Sequence, residues 1–305
     1  MRLAIVTGTA PYHLQLCSNL NRTFDVVGII HPGNPRITGS EKLRKLFKRI
    51  RRHGTTLVLL NLLARSQGIF SSRFLAATTN TQRHLFSDNA YAEIPRNKIF
   101  AGCDIHSPTA LELLRQLQPD VSVFLGGPVY PPAFVACAGA SFNYHSGISP
   151  IYNGAASTTF AFANGHPHLC GGTLMAMGVK VDGGRIFGHY LPEVQPGDSP
   201  TSLFAKTVRG ATIMYTRLLE HLQAAKGPLP CIPQPNPLFY TRAFEFGLYQ
   251  QAMIIRHLRT DLPARYKRPE AIVEYWREAT DLAAQNLYRS TMDHLLWGAS
   301  SLSLT

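Results

Sequence analysis

Short runs of Val, Ile and Leu that alternate with helix-length stretches constrain this chain more than any other feature. Leu3 to Val6 is an apolar run closed by the turn Thr7-Gly8-Thr9, Tyr12 to Leu20 has helical periodicity, and Asp25 to Ile30 is a second run stopped by His31-Pro32-Gly33. Strand, helix and strand in that order make a βαβ unit, parallel and right-handed by default. The pattern resumes at Ser107-Pro108, a cap followed by proline at the first helical position, with Leu111, Leu113, Leu114 and Leu117 as the buried face. Pro119 stops that helix. Val121 to Leu125 then reads as a strand buried on both faces, and Ala140 to Tyr144 as another that delivers Asn143 and His145 to its end. The expected fold is α/β, a Rossmann-like, mostly parallel sheet with a helical insertion and a mainly helical C-terminal appendage.

The insertion covers residues 39–97. Leu43, Leu46, Phe47 and Ile50 follow helical spacing, with Lys42, Arg44, Lys45, Lys48, Arg49, Arg51 and Arg52 on the rest of the same segment. Gly54 ends that helix, and Leu57 to Ala64 reads as a buried one. Beyond Pro200, Thr201 to Ala225 reads as a helix, Gly227 to Pro237 as a proline-rich connection, and Arg256 to Trp297 as helical and charged. Residues 1–200 are accordingly expected to form a catalytic domain and 201–305 a mainly helical extension.

Composition limits the function classes. With 45% hydrophobic and 16% charged residues the chain can bury a core. No run approaches the ~20 apolar residues of a membrane-spanning helix, so no transmembrane segment is expected. The opening Met1-Arg2-Leu3-Ala4-Ile5-Val6 lacks a secretory apolar region, and the 5 cysteines show no C-x-x-C spacing. Both point to reduced thiols in the cytoplasm. The net charge of +12 favours a polyanionic or phosphate-bearing partner. His166-Pro167-His168 is half a metal site with no carboxylate or cysteine pattern to complete it, so no metal is expected.

The chemistry-bearing segment is Asn143-Tyr144-His145-Ser146-Gly147-Ile148-Ser149-Pro150-Ile151-Tyr152-Asn153-Gly154, followed by Met175 to Gly184 with Asp182-Gly183-Gly184 at its end. A fixed amide such as Asn143 can stabilise a carbonyl oxygen that turns negative during acyl transfer, worth about 3–4 kcal/mol of barrier. A histidine titrating near neutrality can take or relay a proton, roughly a 10²–10⁴-fold effect. A carboxylate beside it orients the ring and favours the imidazolium. Asn-x-His, Pro-x-Tyr-x-Gly and Asp-x-Gly, in this order and spacing, resemble the folate-dependent formyltransferases, a group that includes glycinamide ribonucleotide, methionyl-tRNA and amino-sugar enzymes. The resemblance spans roughly residues 1–190. It implies Asn143, His145 and Asp182 as catalytic residues and 10-formyltetrahydrofolate as formyl donor. It also implies two pterin-binding loops, Gly126, Gly127, Pro128 and Val129, and Met177, Gly178, Val179, Lys180 and Val181. Two positions depart from the family pattern: Asn153 stands where many relatives have Arg or Lys, and Lys180 where many have Gly.

Among acceptors, the tail does not read as the five-stranded barrel of transfer-RNA formyltransferases, although the basic insertion resembles their RNA-contacting loop. Glycinamide ribonucleotide enzymes are shorter and begin with a more glycine-rich phosphate loop. An amino sugar on a nucleotide carrier is the leading expectation. Another small amine or hydroxylamine, transfer RNA, hydrolysis of the formyl-folate, and a non-catalytic polyanion-binding role are the alternatives. Phe244, Phe246, Leu248 and Tyr249 in the tail could form a homodimer contact or cover the chain's own sheet.

Overall fold

In the computed structural model, described residues are 1–33, 39–56, 93–178, 180–224 and 229–298, with Val58, Leu59, Leu63, Phe86 and Gly227. Along the chain run β1 Arg2–Thr7, α1 Pro11–Thr23, β2 Asp25–Pro32, α2 Gly39–His53, β3 Ile99–Cys103, α3 Pro108–Leu117 and β4 Val121–Leu125. There follow α4 Pro132–Ala136, β5 Ala140–His145, β6 Tyr152–Gly154, α5 Ser157–Ala163, β7 Gly172–Ala176 and β8 Ile186–Leu191. The remainder holds α6 Pro200–Ala224, β9 Phe239–Thr241, α7 Leu248–Arg259, β10 Ala271–Glu274 and α8 Asp281–Trp297. The 8-stranded sheet has the order β10-β8-β7-β5-β4-β1-β2-β3. Every pairing from β3 across to β5 is parallel, and those from β5 out to β10 are antiparallel. The fold is α/β and Rossmann-like, as the alternating runs predict.

Burial explains the central strands. All five residues of β4 are buried, as are all but the first of β1, because helices cover both faces. On one face α6 lays Ala211, Met214, Leu218 and Leu219 onto the sheet. Its Tyr215 hydroxyl donates to the Phe124 carbonyl of β4 at 2.5 Å, and the Tyr144 hydroxyl of β5 donates to the Thr207 carbonyl at 2.7 Å. Each fully buried Leu or Met of this kind stabilises by about 1.5–3 kcal/mol. On the other face α3 starts as expected: the Ser107 side chain caps the Ala110 N–H and Pro108 occupies the first turn.

Two expectations are corrected. The stretch from Arg256 to Trp297 is not continuously helical, because α7 ends at Arg259 and β10 pairs antiparallel with β8. The C-terminal region is mainly helix, yet it supplies an edge strand of the main sheet, and β9 pairs with β6 in a second small sheet. In α2 the helix forms, but Leu43 and Phe47 of its apolar stripe are exposed. Most of the insertion after His53, including nearly all of the helix expected at Leu57 to Ala64, lies outside the described residues. Phe246 sets its ring edge-on to Phe160 of α5 at 5.7 Å, so that part of the tail covers the chain's own core.

Candidate active site

Strand alternation sorts β5 into two faces. Phe142 and Tyr144 enter the core under α6, while Asn143 and His145 emerge on the other side. Both line a cavity of about 310 Å³ at the carboxyl end of the parallel strands. The loop between antiparallel β7 and β8 brings Asp182 to the same cavity, with its backbone at φ +50°. His145 Nδ1 and Asp182 Oδ1 are 3.4 Å apart. The three residues expected to act together share one pocket.

Neighbouring segments set the orientation of both groups. His145 Nε2 stands 3.0 Å from the Tyr152 carbonyl. A carbonyl oxygen only accepts, so Nε2 carries a hydrogen; the Asp182 carboxylate facing Nδ1 also only accepts, so the pair is complete when Nδ1 has taken up a proton. The second carboxylate oxygen of Asp182 accepts from the Gly154 N–H at 2.9 Å, and the Asn153 amide donates to the Asp182 carbonyl at 2.8 Å. Asn153, where the family pattern has a cation, is therefore buried in support of the hairpin. β6, which carries these donors, is held by β9: the Thr241 hydroxyl lies 3.1 Å from the Asn153 carbonyl and 2.9 Å from that of Ala155. The tail thus props the residues that hold the carboxylate.

Sequence reasoning missed several parts of this arrangement. A Cβ on Gly147 would overlap both His145 Nε2 and the Tyr152 carbonyl, so the ring's seat needs glycine there. Thr173 of β7 donates to the Gly147 carbonyl at 2.6 Å and accepts from the Ser149 N–H at 2.8 Å, fixing the loop. Tyr12, His13, Phe204 and Val208 also line the cavity. Position at the strand end after β1 was the available signal for Tyr12 and His13; nothing local marks the other two.

Of the expected cofactor loops, Gly126, Gly127, Pro128 and Val129, and Met177, Gly178, Lys180 and Val181, all line the cavity; Val179 lies outside the described residues. Val129 and Val181 are 66% and 44% exposed, so apolar side chains flank the opening. Gly126 and Gly127 sit at φ +66° and +107°, conformations that glycine adopts without strain. Exposed main chain and apolar rims are what a flat heteroaromatic ring with several donors and acceptors requires. Among the described residues no group of three or more His, Cys, Asp or Glu is placed to hold a metal ion. His166 Nδ1 instead shares a hydrogen bond with the Tyr152 hydroxyl at 2.7 Å, and His168 stacks on Tyr266 at 4.4 Å. No helix among the described residues is long and apolar enough to cross a membrane.

Comparison with known proteins agrees with this geometry. Residues 72–219 match the family described as formyl transferase. A 4-N formyltransferase from Francisella tularensis is similar at 14% identity, over 83% of this chain and 85% of that one, with a TM-score of 0.50. A sugar N-formyltransferase from Shewanella sp FDAARGOS_354 matches at 12% identity over 84% and 87%, also with a TM-score of 0.50. The structure of WlaRD, a sugar 3N-formyl transferase in the presence of dTDP and 5-N-formyl-THF, matches at 12% identity over 85% and 79%, with a TM-score of 0.51. At these identities the likeness speaks for the fold. The chain thus carries a stretch similar to the formyl transferase family over residues 72–219, within a fold that it shares with formyltransferases of known structure.

Proposed function

We propose that the chain moves the formyl group of 10-formyltetrahydrofolate onto a primary amine, specifically an amino sugar on a nucleotide carrier. The observation that carries this reading is the convergence of Asn143, His145 and Asp182 on one cavity between two glycine-bearing loops. When bound, the folate supplies the formyl carbon that the amine attacks. The loops at 126–129 and 177–181 would hold its pterin by main-chain groups. The Asn143 amide would donate to the oxygen that gains charge, a contact worth about 3–4 kcal/mol in the barrier. His145 would take the amine's proton at Nδ1, because Nε2 is committed to the Tyr152 carbonyl. Asp182 would pair with the resulting imidazolium. As the new carbon–nitrogen bond forms and the bond to the folate nitrogen breaks, that proton passes to the leaving nitrogen, which balances the transfer.

Residues 1–200 hold all three proposed catalytic groups, and 201–305 are the proposed extension that braces them. The sugar N-formyltransferase neighbours, one of them described in the presence of dTDP, motivate the phosphate-bearing amino-sugar acceptor. Five free cysteines suit a reducing compartment, and the cytoplasm is the proposed location. The test is a panel of amino-sugar nucleotides, glycinamide ribonucleotide and charged initiator transfer RNA, each incubated with 10-formyltetrahydrofolate and read by product mass. Formylation of an amino-sugar nucleotide supports the reading. Formylation confined to another acceptor replaces the acceptor, and formate release without any amine replaces transfer with hydrolysis.

A further inference from the structure

The order of strands puts a second set of groups in the cavity. From β1 the chain passes to β2 on one side, while β4 and β5 lie on the other, so the order in which strands are added reverses at the parallel β1–β4 pair. The crevice outside the carboxyl ends of such a pair is where open parallel sheets hold ligands. Here the His13 ring fills its base. A Cβ on Gly8 would come within 2.9 Å of His13 Cδ2 and Nε2, and one on Gly126 within 3.2 Å of Cε1. The ring therefore lies between two glycines that end β1 and β4.

Its tautomer is fixed by a neighbour. The Thr7 hydroxyl has one hydrogen and donates it to the Leu125 carbonyl at 2.8 Å, so toward His13 Nδ1, 2.5 Å away, it can only accept. Nδ1 carries the hydrogen and Nε2 keeps a lone pair, without a partner among the described residues. Burial, with His31 nearby, pushes His13 down to about 4 and keeps the ring uncharged at neutral pH. The adjoining helix end is poorly equipped for phosphate. Pro11 lacks an N–H, and the N–H groups of His13 and Leu14 both turn back to the Ala10 carbonyl, at 2.8 and 3.2 Å. Beside the ring, Tyr12 stands edge-on to Phe204 at 5.6 Å and forms an apolar wall.

We propose that His13 Nε2 is a specificity-determining acceptor, taking a hydrogen bond from a hydroxyl or amine N–H of the formyl acceptor. This part of the cavity then receives the neutral, hydroxyl-bearing ring of the substrate against Tyr12 and Phe204, with the phosphates held elsewhere. The assignment rests on the formyl-transfer reading, in which the main chain of the two loops is given to the folate and the His13 ring, beneath Gly126, is left to the amine-bearing acceptor.

The probe is a dTDP-linked amino sugar, titrated calorimetrically in the presence of 5-formyltetrahydrofolate as an unreactive stand-in for the donor. His13→Asn keeps an amide donor near Thr7 and removes the acceptor at Nε2, whereas His13→Gln places an amide oxygen near the Nε2 position. Leaving a buried substrate donor unpaired should weaken probe binding roughly 10–100-fold in His13→Asn, with folate affinity unchanged and His13→Gln within about fivefold of wild type. In wild type with labelled imidazole nitrogens, the His13 Nε2 signal should move on adding probe and stay still with folate alone, a readout that needs no variant to fold. Equal probe binding by wild type and His13→Asn, or an Nε2 signal indifferent to probe, overturns the proposal. Failure of wild type to bind any amino-sugar nucleotide overturns it as well. Probe binding that depends on His13 without any formyl transfer keeps this assignment and removes the catalytic reading instead.

Discussion

His13 and His145 line the same cavity at the same 7% exposure, and what separates them is the group that faces each ring. His13 meets a hydroxyl that can only accept, and among the described residues no ion pair with a carboxylate is formed by its ring. His145 meets a carbonyl at Nε2 and the Asp182 carboxylate at Nδ1. One ring is held neutral with a lone pair on Nε2, while the other has an acidic side chain facing its Nδ1. Equal burial therefore assigns no role; the polar partners do, because in a low-dielectric site they decide which protonation state is stabilised.

The sharpest break between the two would be kinetic. His145→Ala should lower kcat roughly 10²–10⁴-fold, the usual worth of a positioned acid–base group, with Tm little changed. Stopped product-mass assays at saturating donor check this. A kcat within a few fold of wild type would remove His145 from the chemistry and leave the two histidines alike.

Acid should expose what the neutral histidines share. His13, His168 and His189 are all pushed down to about 4, chiefly by burial, with His31 adding at His13 and with His166 and Arg268 adding at His168. In the unfolded chain each titrates near ~6.5, so between that pH and ~4 the unfolded state binds protons the folded state refuses. The stability they contribute is complete above ~6.5 and is lost as pH falls toward ~4, on the order of a few kcal/mol for each well-buried ring and less for the more exposed His168. Urea midpoints measured from pH 7 to 4.5 should fall steadily. A flat profile would mean that these rings are not held neutral.

Two smaller substitutions test how the His145 side is supported. Gly147→Ala sets a methyl against the imidazole and the Tyr152 carbonyl, which should cost about 1–3 kcal/mol of stability by overpacking and reduce kcat with it. Calorimetric unfolding beside a kcat measurement reads both. Thr241→Val removes the hydroxyl that reaches the Asn153 and Ala155 carbonyls, for an expected loss of about 1 kcal/mol. Its Tm should drop slightly while folate affinity holds; an unchanged Tm would mean that β9 does not brace β6 through this side chain.

Parts of the site were legible because they depend on local periodicity. Asn143 and His145 stand two apart on a strand, and a period of two puts them on one face whatever surrounds them. The glycines at 126 and 127 mark a strand end, and Asp182-Gly183-Gly184 marks a turn, here the one joining β7 to β8. The run Ala271–Glu274 was misread because a few apolar residues fit a helix or a strand equally well; its pairing with β8 decides between them. Gly147 gave no sign of its role, since a glycine's need for space is set by the ring that packs against it.

The sequence alone determined the α/β alternation, the buried central strands and the residue types gathered at the end of β5, all consequences of short-range pattern. Tertiary structure alone decided that Asp182 meets Nδ1, that Tyr152 commits Nε2, and that His13 lies between the ends of β1 and β4. The Asp182 and Gly126 contacts join segments far apart in the chain, and the Tyr152 contact needs the turn between β5 and β6 to close. Hydrogen-bond direction and burial exist only once such segments have packed, so no local pattern could have encoded them.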